Sequence, residues 1–351
     1  MKRILSLAIV LSFALNVFAQ VTMATLDHND SITVFHTHLA LREAYNAAVE
    51  GDIITLSEGE FDGDFDFTKS NITLRGAGMF EDTVTGTLPT IVRSRITFKD
   101  SVSNCTLEGI YFNTDVKIEA TSNFLVRKCR FNNVQKDGSD TTFGHNVYSC
   151  VIHNLDPYGS NWSDACWINS NFFNCIITKN NENCSSSMDG NNGTIVGSHL
   201  KFINCYVQFY YASYAQYSAE YYNCILYACY GDRATNLEAH NCIGIKRDGD
   251  NNFWDTTNTY NIAHNLINMS LSDVFVNFDG YYHPGVDNLE LTPTAQAILG
   301  FDGTEIGIHG GTYPYNPHLH PVAPIIGHIS VPHSTDTQGQ LDVNVEIIHE
   351  Q

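Results

Sequence analysis

The feature that most constrains this chain is a recurring Cys preceded by a bend-forming residue. Asn104-Cys105, Lys128-Cys129, Ser149-Cys150, Asn174-Cys175, Asn204-Cys205, Asn223-Cys224 and Asn241-Cys242 follow one another at steps of 24, 21, 25, 30, 19 and 18 residues. A drifting period excludes a fixed-length helical repeat and points to stacked units with variable loops. Three positions before these Cys stand Val102, Val126, Val147, Phe172, Phe202, Tyr221 and Ala239. Two positions after stand Leu107, Phe131, Ile152, Ile177, Val207, Leu226 and Gly244. Each unit therefore reads as a strand, a sharp bend and a second strand, with side chains of period two pointing one way. Asn tolerates positive φ, suits the bend, and is abundant at 34 of 351 residues. Stacking such units about 4.8 Å apart puts Cys over Cys and Asn over Asn. The pattern predicts an all-β chain, a right-handed parallel β-helix solenoid with seven aligned Cys.

The flanks extend this reading. Residues 1–19 read as a signal peptide: Lys2 and Arg3, an apolar run from Ile4 to Leu15, then Val17-Phe18-Ala19. Residues 20–50 hold an N-terminal strand and a capping helix. Leu41, Ala44, Tyr45 and Ala48 share one face between His38 and Val49, and Gly51 stops the helix. The parallel β-helix is expected over 51–284, and 285–351 is expected to be a C-terminal extension packed on the solenoid. From Asp248 to Gln351 there is no Lys or Arg, against thirteen Asp or Glu.

The segments Asp52-Ile-Ile-Thr-Leu56, Gly59-Glu60-Phe61 and Ser70-Asn-Ile-Thr-Leu-Arg-Gly76, entered from that helix, resemble the start of secreted bacterial right-handed parallel β-helix proteins of the pectin-lyase-like superfamily. The resemblance covers roughly residues 35–265. Leu299–Gly311 resembles a C-terminal module of secreted bacterial β-helix proteins. The superfamily implies a capped β-helix and a link to carbohydrate, without specifying an activity.

Composition bears on partners. Eighteen Lys and Arg against 38 Asp and Glu give −20, which argues against nucleic acid. No stretch after the leader approaches the roughly 18 apolar residues of a membrane helix, so no membrane span is expected. The expected location is secreted, periplasmic or at the cell surface. The Cys read as a mostly reduced inward ladder, with Cys166, Cys184 and Cys229 the better candidates for any bridge. No cofactor and no metal is expected, with Ca²⁺ the one ion the alternating Asp62, Asp64 and Asp66 could invite. His318 and His320 make a weak metal pair.

Three functional classes remain open. The first is a binding protein for complex carbohydrate, using exposed aromatic rings. Nine of eighteen Tyr fall in Tyr206–Tyr230, and Trp167, Tyr206, Tyr210, Tyr211 and Tyr222 are the candidate binding residues. The second is a polysaccharide lyase or glycoside hydrolase. Half of the basic residues beyond the leader lie between Arg93 and Lys136, and Glu108, Asn132 and His153 should stack in one column beside Arg130. That makes Glu108, Arg130 and His153 the candidate catalytic set. A polygalacturonase-like assignment fails: Asn113-Thr114-Asp115 matches one motif, but Gly144-His145-Asn146 replaces Gly-His-Gly and the other motifs are missing. The third is a structural homo-oligomer. From the third repeat on, outward positions turn apolar (Tyr148, Phe173, Ile203, Tyr222; Val151, Ile176, Tyr206, Ile225, Ile243), a stripe that is either covered or binds something.

Overall fold

The computed structural model describes residues 22–83, 85–136, 142–156, 167–178, 200–211, 219–230, 238–246, 253–254, 263–264, 267–316, 325–330 and 344–348. The signal-peptide segment, Cys166, Cys184, His318 and His320 lie outside the described residues. The chain is strand-rich, with three short helices among the described residues. Two large sheets, of twelve and thirteen strands, dominate. Apart from the N-terminal hairpin and its antiparallel pairing with Ile53–Leu56, their strands pair in parallel, and the chain visits the two sheets alternately.

Inward columns of both sheets form one apolar cluster. In the first sheet the register aligns Leu74, Leu107, Val126, Val147, Phe172, Phe202, Tyr221 and Ala239. In the second it aligns Phe112, Phe131, Ile152, Ile177, Val207, Leu226 and Gly244. Rings stack along the first column, Phe172 on Phe202 at 4.9 Å and Phe202 on Tyr221 at 5.1 Å between centroids, close to the inter-strand spacing that places them.

The bend between the sheets is made by one left-handed residue, Gly109, Lys128, Ser149, Asn174, Asn204, Asn223 or Asn241, each with φ between 49° and 67°. The next residue turns inward. Backbone bonds from Arg130 to Ile110, Val151 to Cys129, Ile176 to Cys150 and Tyr206 to Cys175 fix that column. Here the structure corrects the alignment. Cys105 is buried at a different bend, in line with Ile72, Phe124 and His145, because Thr106 pairs back to Ile72 and Leu125 to Cys105. Asn71, Asn104 and Asn123 supply the positive φ there. Two bends per repeat make the same demand, so the same dipeptide serves at both, and Ile110 heads a ladder of six Cys rather than seven. Cys105, Cys129, Cys150, Cys175, Cys205, Cys224 and Cys242 are free thiols, and the side chain of Cys229 lies outside the described residues. Within the ladder, backbone N–H groups donate to the next thiol, as from Cys205 to Cys224 at 3.4 Å.

Both ends of the core are stopped. At the start, β1 (Ala24–His28) and β2 (Ser31–Phe35) form an antiparallel hairpin, and β1 pairs with β3 (Ile53–Leu56). Helix α1, Ala40–Ala47, buries Ala40, Leu41, Ala44 and Tyr45, with Tyr45 against Phe65 and Phe67. It is shorter than its apolar face suggests, because Ala48 is already extended. The Lys69 ammonium donates to the carbonyls of Tyr45, Asn46 and Ala48, satisfying and neutralising the helix C-terminus. At the far end Ala239 and Gly244 leave room for Phe253 and Trp254, which are buried. A Cβ on Gly244 would meet Trp254 at 2.6 Å.

The apolar stripe of the second sheet is covered by the chain itself. Val151, Ile176, Tyr206, Ile225 and Ile243 form a second core with Phe275, Tyr282, Leu291, Ile306, Ile308 and Tyr315. The bend Asn residues hold this cover in place: Asn174 Nδ2 donates to the carbonyls of Ile308 (2.9 Å) and Gly310 (2.6 Å), and Asn223 Oδ1 accepts from Phe301 N. The covering segment starts near Leu271, earlier than residue 285. This column is therefore not open to a second subunit, which corrects the expected oligomer contact there.

Gly144-His145-Asn146 is structural. His145 Nδ1 accepts from Phe124 N, and Thr142 Oγ1, bonded to Nε2 at 2.5 Å, donates to the carbonyl of Thr121. That network requires a neutral ring, and burial pushes the His145 pKa down to about 3. The unfolded ring takes its proton near 6.5, so between about 6.5 and about 3 the unfolded state holds the extra proton. Stability is therefore lost as the pH is lowered through that window, by up to about 1.4 kcal/mol per unit. Chemical denaturation between pH 7 and pH 4 should show a slope that His145→Gln flattens by about one proton.

Candidate functional site

The outer face of the first sheet carries two columns. One runs Thr73, Thr106, Leu125, Asn146, Asn171, Lys201, Glu220 and Glu238; the other runs Arg75, Glu108, Arg127, Tyr148, Phe173, Ile203, Tyr222 and His240. The second column thus changes from charged to aromatic along the stack. Tyr148 lies flat on Phe173 at 4.7 Å and 7°, and Tyr222 on His240 at 4.9 Å and 10°. All four are half-buried. In-register pairing sets the spacing, and side chains on a parallel ladder have little choice but to stack.

Polar groups border the rings on one side. Asn171 donates to Asn146 Oδ1 at 3.0 Å, Lys201 pairs with Glu220 at 3.0 Å, and the Tyr222 hydroxyl donates to Glu220 at 2.9 Å. Burial, and the Glu220 carboxylate it serves, push the Tyr222 pKa up to about 12, so it remains a phenol. On the other side stand two rings of the covering segment. Tyr313 meets Tyr148 edge-on at 5.4 Å and Phe301 lies 6.3 Å from His240, with 56% and 61% of their surface exposed. Sequence reasoning missed both. Their signal was an aromatic residue inside the Gly-rich run Leu299–Gly311 and another two residues past it, which periodicity does not assign to any face.

Of the expected binding residues, Tyr222 belongs to this face. Tyr206 does not: it points out from the second sheet but is buried against Phe275 and Phe278, because the covering segment takes that column. Trp167, Tyr210 and Tyr211 lie in strands Trp167–Ile168 and Tyr206–Tyr211, and their side chains lie outside the described residues.

The expected catalytic column is not formed. Glu108 is in register with Arg75 and Arg127 on the first sheet and is ion-paired to Arg75 at 3.2 Å. Asn132 and His153 follow Arg130 and Val151 on the second sheet. The cause is the Cys105 misalignment, which shifted Glu108 by one bend. Arg130 and His153 do neighbour each other. The Arg130 guanidinium sits 4.0 Å over the Tyr111 ring and 5.7 Å from that of Phe80, and burial lowers its pKa. Among the described residues no carboxylate ion-pairs with it. His153 is buried, bonded to Thr178 Oγ1 at 3.0 Å, and pushed down to about 4 by burial and by Arg130.

Part of the basic cluster lines a concavity of about 480 Å³ on the outer surface near the start of the second sheet, with Asp64, Asp66, Arg95, Thr97, Lys99 and Lys117 around it. Arg95 pairs with Asp64 at 3.6 Å, and Lys99 with Glu119 at 2.6 Å and Asp66 at 3.9 Å. Of the three carboxylates considered for Ca²⁺, Asp64 and Asp66 thus face cations. Among the described residues no three acidic, His or Cys side chains converge in a way that could hold a metal ion.

No family model, curated protein or solved structure matches this chain.

Because Glu108 is buried against a one-third-exposed Arg75, its role here is structural. Glu108→Ala should cost about 1–3 kcal/mol of unfolding free energy in denaturant titration and leave any glycan retention at the wild-type level.

Proposed function

We propose that this chain is an exported right-handed parallel β-helix of the pectin-lyase-like type that binds complex carbohydrate on the outer face of its first sheet. The observation that carries the reading is the half-buried ring ladder Tyr148, Phe173, Tyr222 and His240, flanked by exposed Tyr313 and Phe301. Flat apolar rings with polar edges suit the faces of sugar rings, and Asn146, Asn171, Lys201, Glu220 and Glu238 place donors and acceptors alongside for hydroxyl groups. The two stacked ring pairs, separated by Ile203, span five successive strands, and so long a surface favours a polymer over a monosaccharide. The fold assignment is supported by two parallel sheets visited alternately, bends at positive φ, and a helix at the start of the core.

A depolymerising enzyme acting on a uronic-acid glycan is the second reading. It is favoured by the concavity that sets Arg95, Lys99 and Lys117 beside Asp64 and Asp66, groups able to neutralise a carboxylate and to move a proton.

Affinity electrophoresis through a panel of neutral and acidic polysaccharides tests the binding reading. One glycan should retard the protein, and Phe301→Ala and Tyr313→Ala, both at exposed positions, should each weaken retention by roughly tenfold with little change in Tm. Retention by no glycan, or retention untouched by both substitutions, overturns it. Appearance of unsaturated product or new reducing ends, lost in Lys117→Ala, would establish the enzymatic reading instead.

A further inference from the structure

The first sheet begins with an open edge. β2 is its terminal strand, and among the described residues no strand pairs with its outer side. The turn into it, Asn29-Asp30, holds both residues at positive φ, 49° and 62°, the geometry of a tight two-residue hairpin. Ser31-Ile-Thr-Val-Phe35 has strong β preference and carries no charge, no Pro and no bulge. Those are the devices by which natural edges avoid pairing. Ile32 is 68% and Val34 43% exposed.

The hydrogen-bond alternation says which groups the edge presents. Ser57 N donates to Met23 O, so Met23, and with it Thr25 and Asp27, direct their backbone groups toward β3. Ala24, Leu26 and His28 then face β2 and bond to their partners Phe35, Thr33 and Ser31. The N–H and C=O of Ile32 and Val34 are left pointing outward.

From this we infer that two copies of the chain associate through β2, antiparallel about a two-fold axis at Thr33. In that register Ile32 of each copy faces Val34 of the other, and all four outward N–H groups donate to outward carbonyls. Asp30 of one copy also comes level with His36 of the other, both exposed, so a carboxylate meets an imidazole able to donate to it, and that complementarity selects this register. Centring on Ile32 sets Asp30 against Val34, and centring on Val34 sets Ile32 against His36. Ile32 and Val34 lie on one side of the strand and become a four-residue apolar strip across the junction. The two-fold runs perpendicular to the sheet, so the outer faces of both first sheets point the same way. The glycan-binding face proposed above, on which only this consequence rests, is then doubled and gains avidity.

Sedimentation equilibrium on the purified protein gives the test. A concentration-dependent dimer is expected, and both Val34→Pro, which deletes an outward N–H without touching the β1 ladder, and Ile32→Lys should weaken it at least tenfold. Circular dichroism and Tm report whether each variant is folded, and the Lys variant carries the test if the Pro variant is not. Thr33→Cys should oxidise to a covalent dimer in higher yield than Ile32→Cys, Val34→Cys or the unsubstituted protein, since a pair on the axis without mutual hydrogen bonds brings its Cα atoms to about 4.5 Å. A monomer at all concentrations, or a dimer undiminished in folded Ile32→Lys, overturns the association. Better cross-linking at 32 or 34 overturns the register. Retention of a monomer on glycan would leave the binding face standing and sink only the dimer.

Discussion

Each repeat must leave the first sheet and enter the second across a single left-handed residue, and the residue after it must then fit inside the core. Everything else is built on that bend. It holds the two sheets at a constant offset, so backbone groups of successive repeats meet in register, as from Val151 N to Cys129 O and Ile176 N to Cys150 O. Register in turn stacks like on like: thiol over thiol inside, ring over ring along Phe172, Phe202 and Tyr221, and ring over ring outside. Asn serves at the bend for two reasons. It tolerates positive φ, and at Asn174, Asn204 and Asn223 its amide also reaches the covering segment.

That second use of Asn ties the architecture to the surface. The bend side chains form a row of hydrogen-bonding groups along one corner, and Phe301 to Gly310 bonds to it. Where the segment crosses, the outward column of the second sheet becomes core. At its border Phe301 and Tyr313 are left beside the ring column of the first sheet. The same segment therefore closes one apolar face and borders the other.

Much of the strand pattern was legible without coordinates, because period-two alternation around a bend is a local property. Val126, Val147, Phe172 and Phe202 were identified as inward and are buried. Cys105 shows the limit: Asn-Cys satisfies either bend, and only the pairing of Thr106 with Ile72 and of Leu125 with Cys105 decides which. That one ambiguity moved Glu108 to the other sheet and dissolved the expected Glu108, Asn132 and His153 column. The candidate site was less legible than the fold. Tyr222 and Tyr206 were both read as outward because each sits in a column; Tyr222 is half-buried on the outer face, yet Tyr206 is buried, since a column records direction and not what lies across from it.

The sequence by itself determined the repeat, the inward and outward alternation, the helix at the start of the core and the inward direction of the thiols, all of which follow from backbone preference and side-chain period over a few residues. Tertiary structure alone decided which bend each Asn-Cys occupies, which apolar column is covered, and which rings meet solvent. Those outcomes depend on contacts across 30 or more residues, such as Asn174 with Ile308 at a separation of 134, and no local pattern encodes where a distant segment comes to rest.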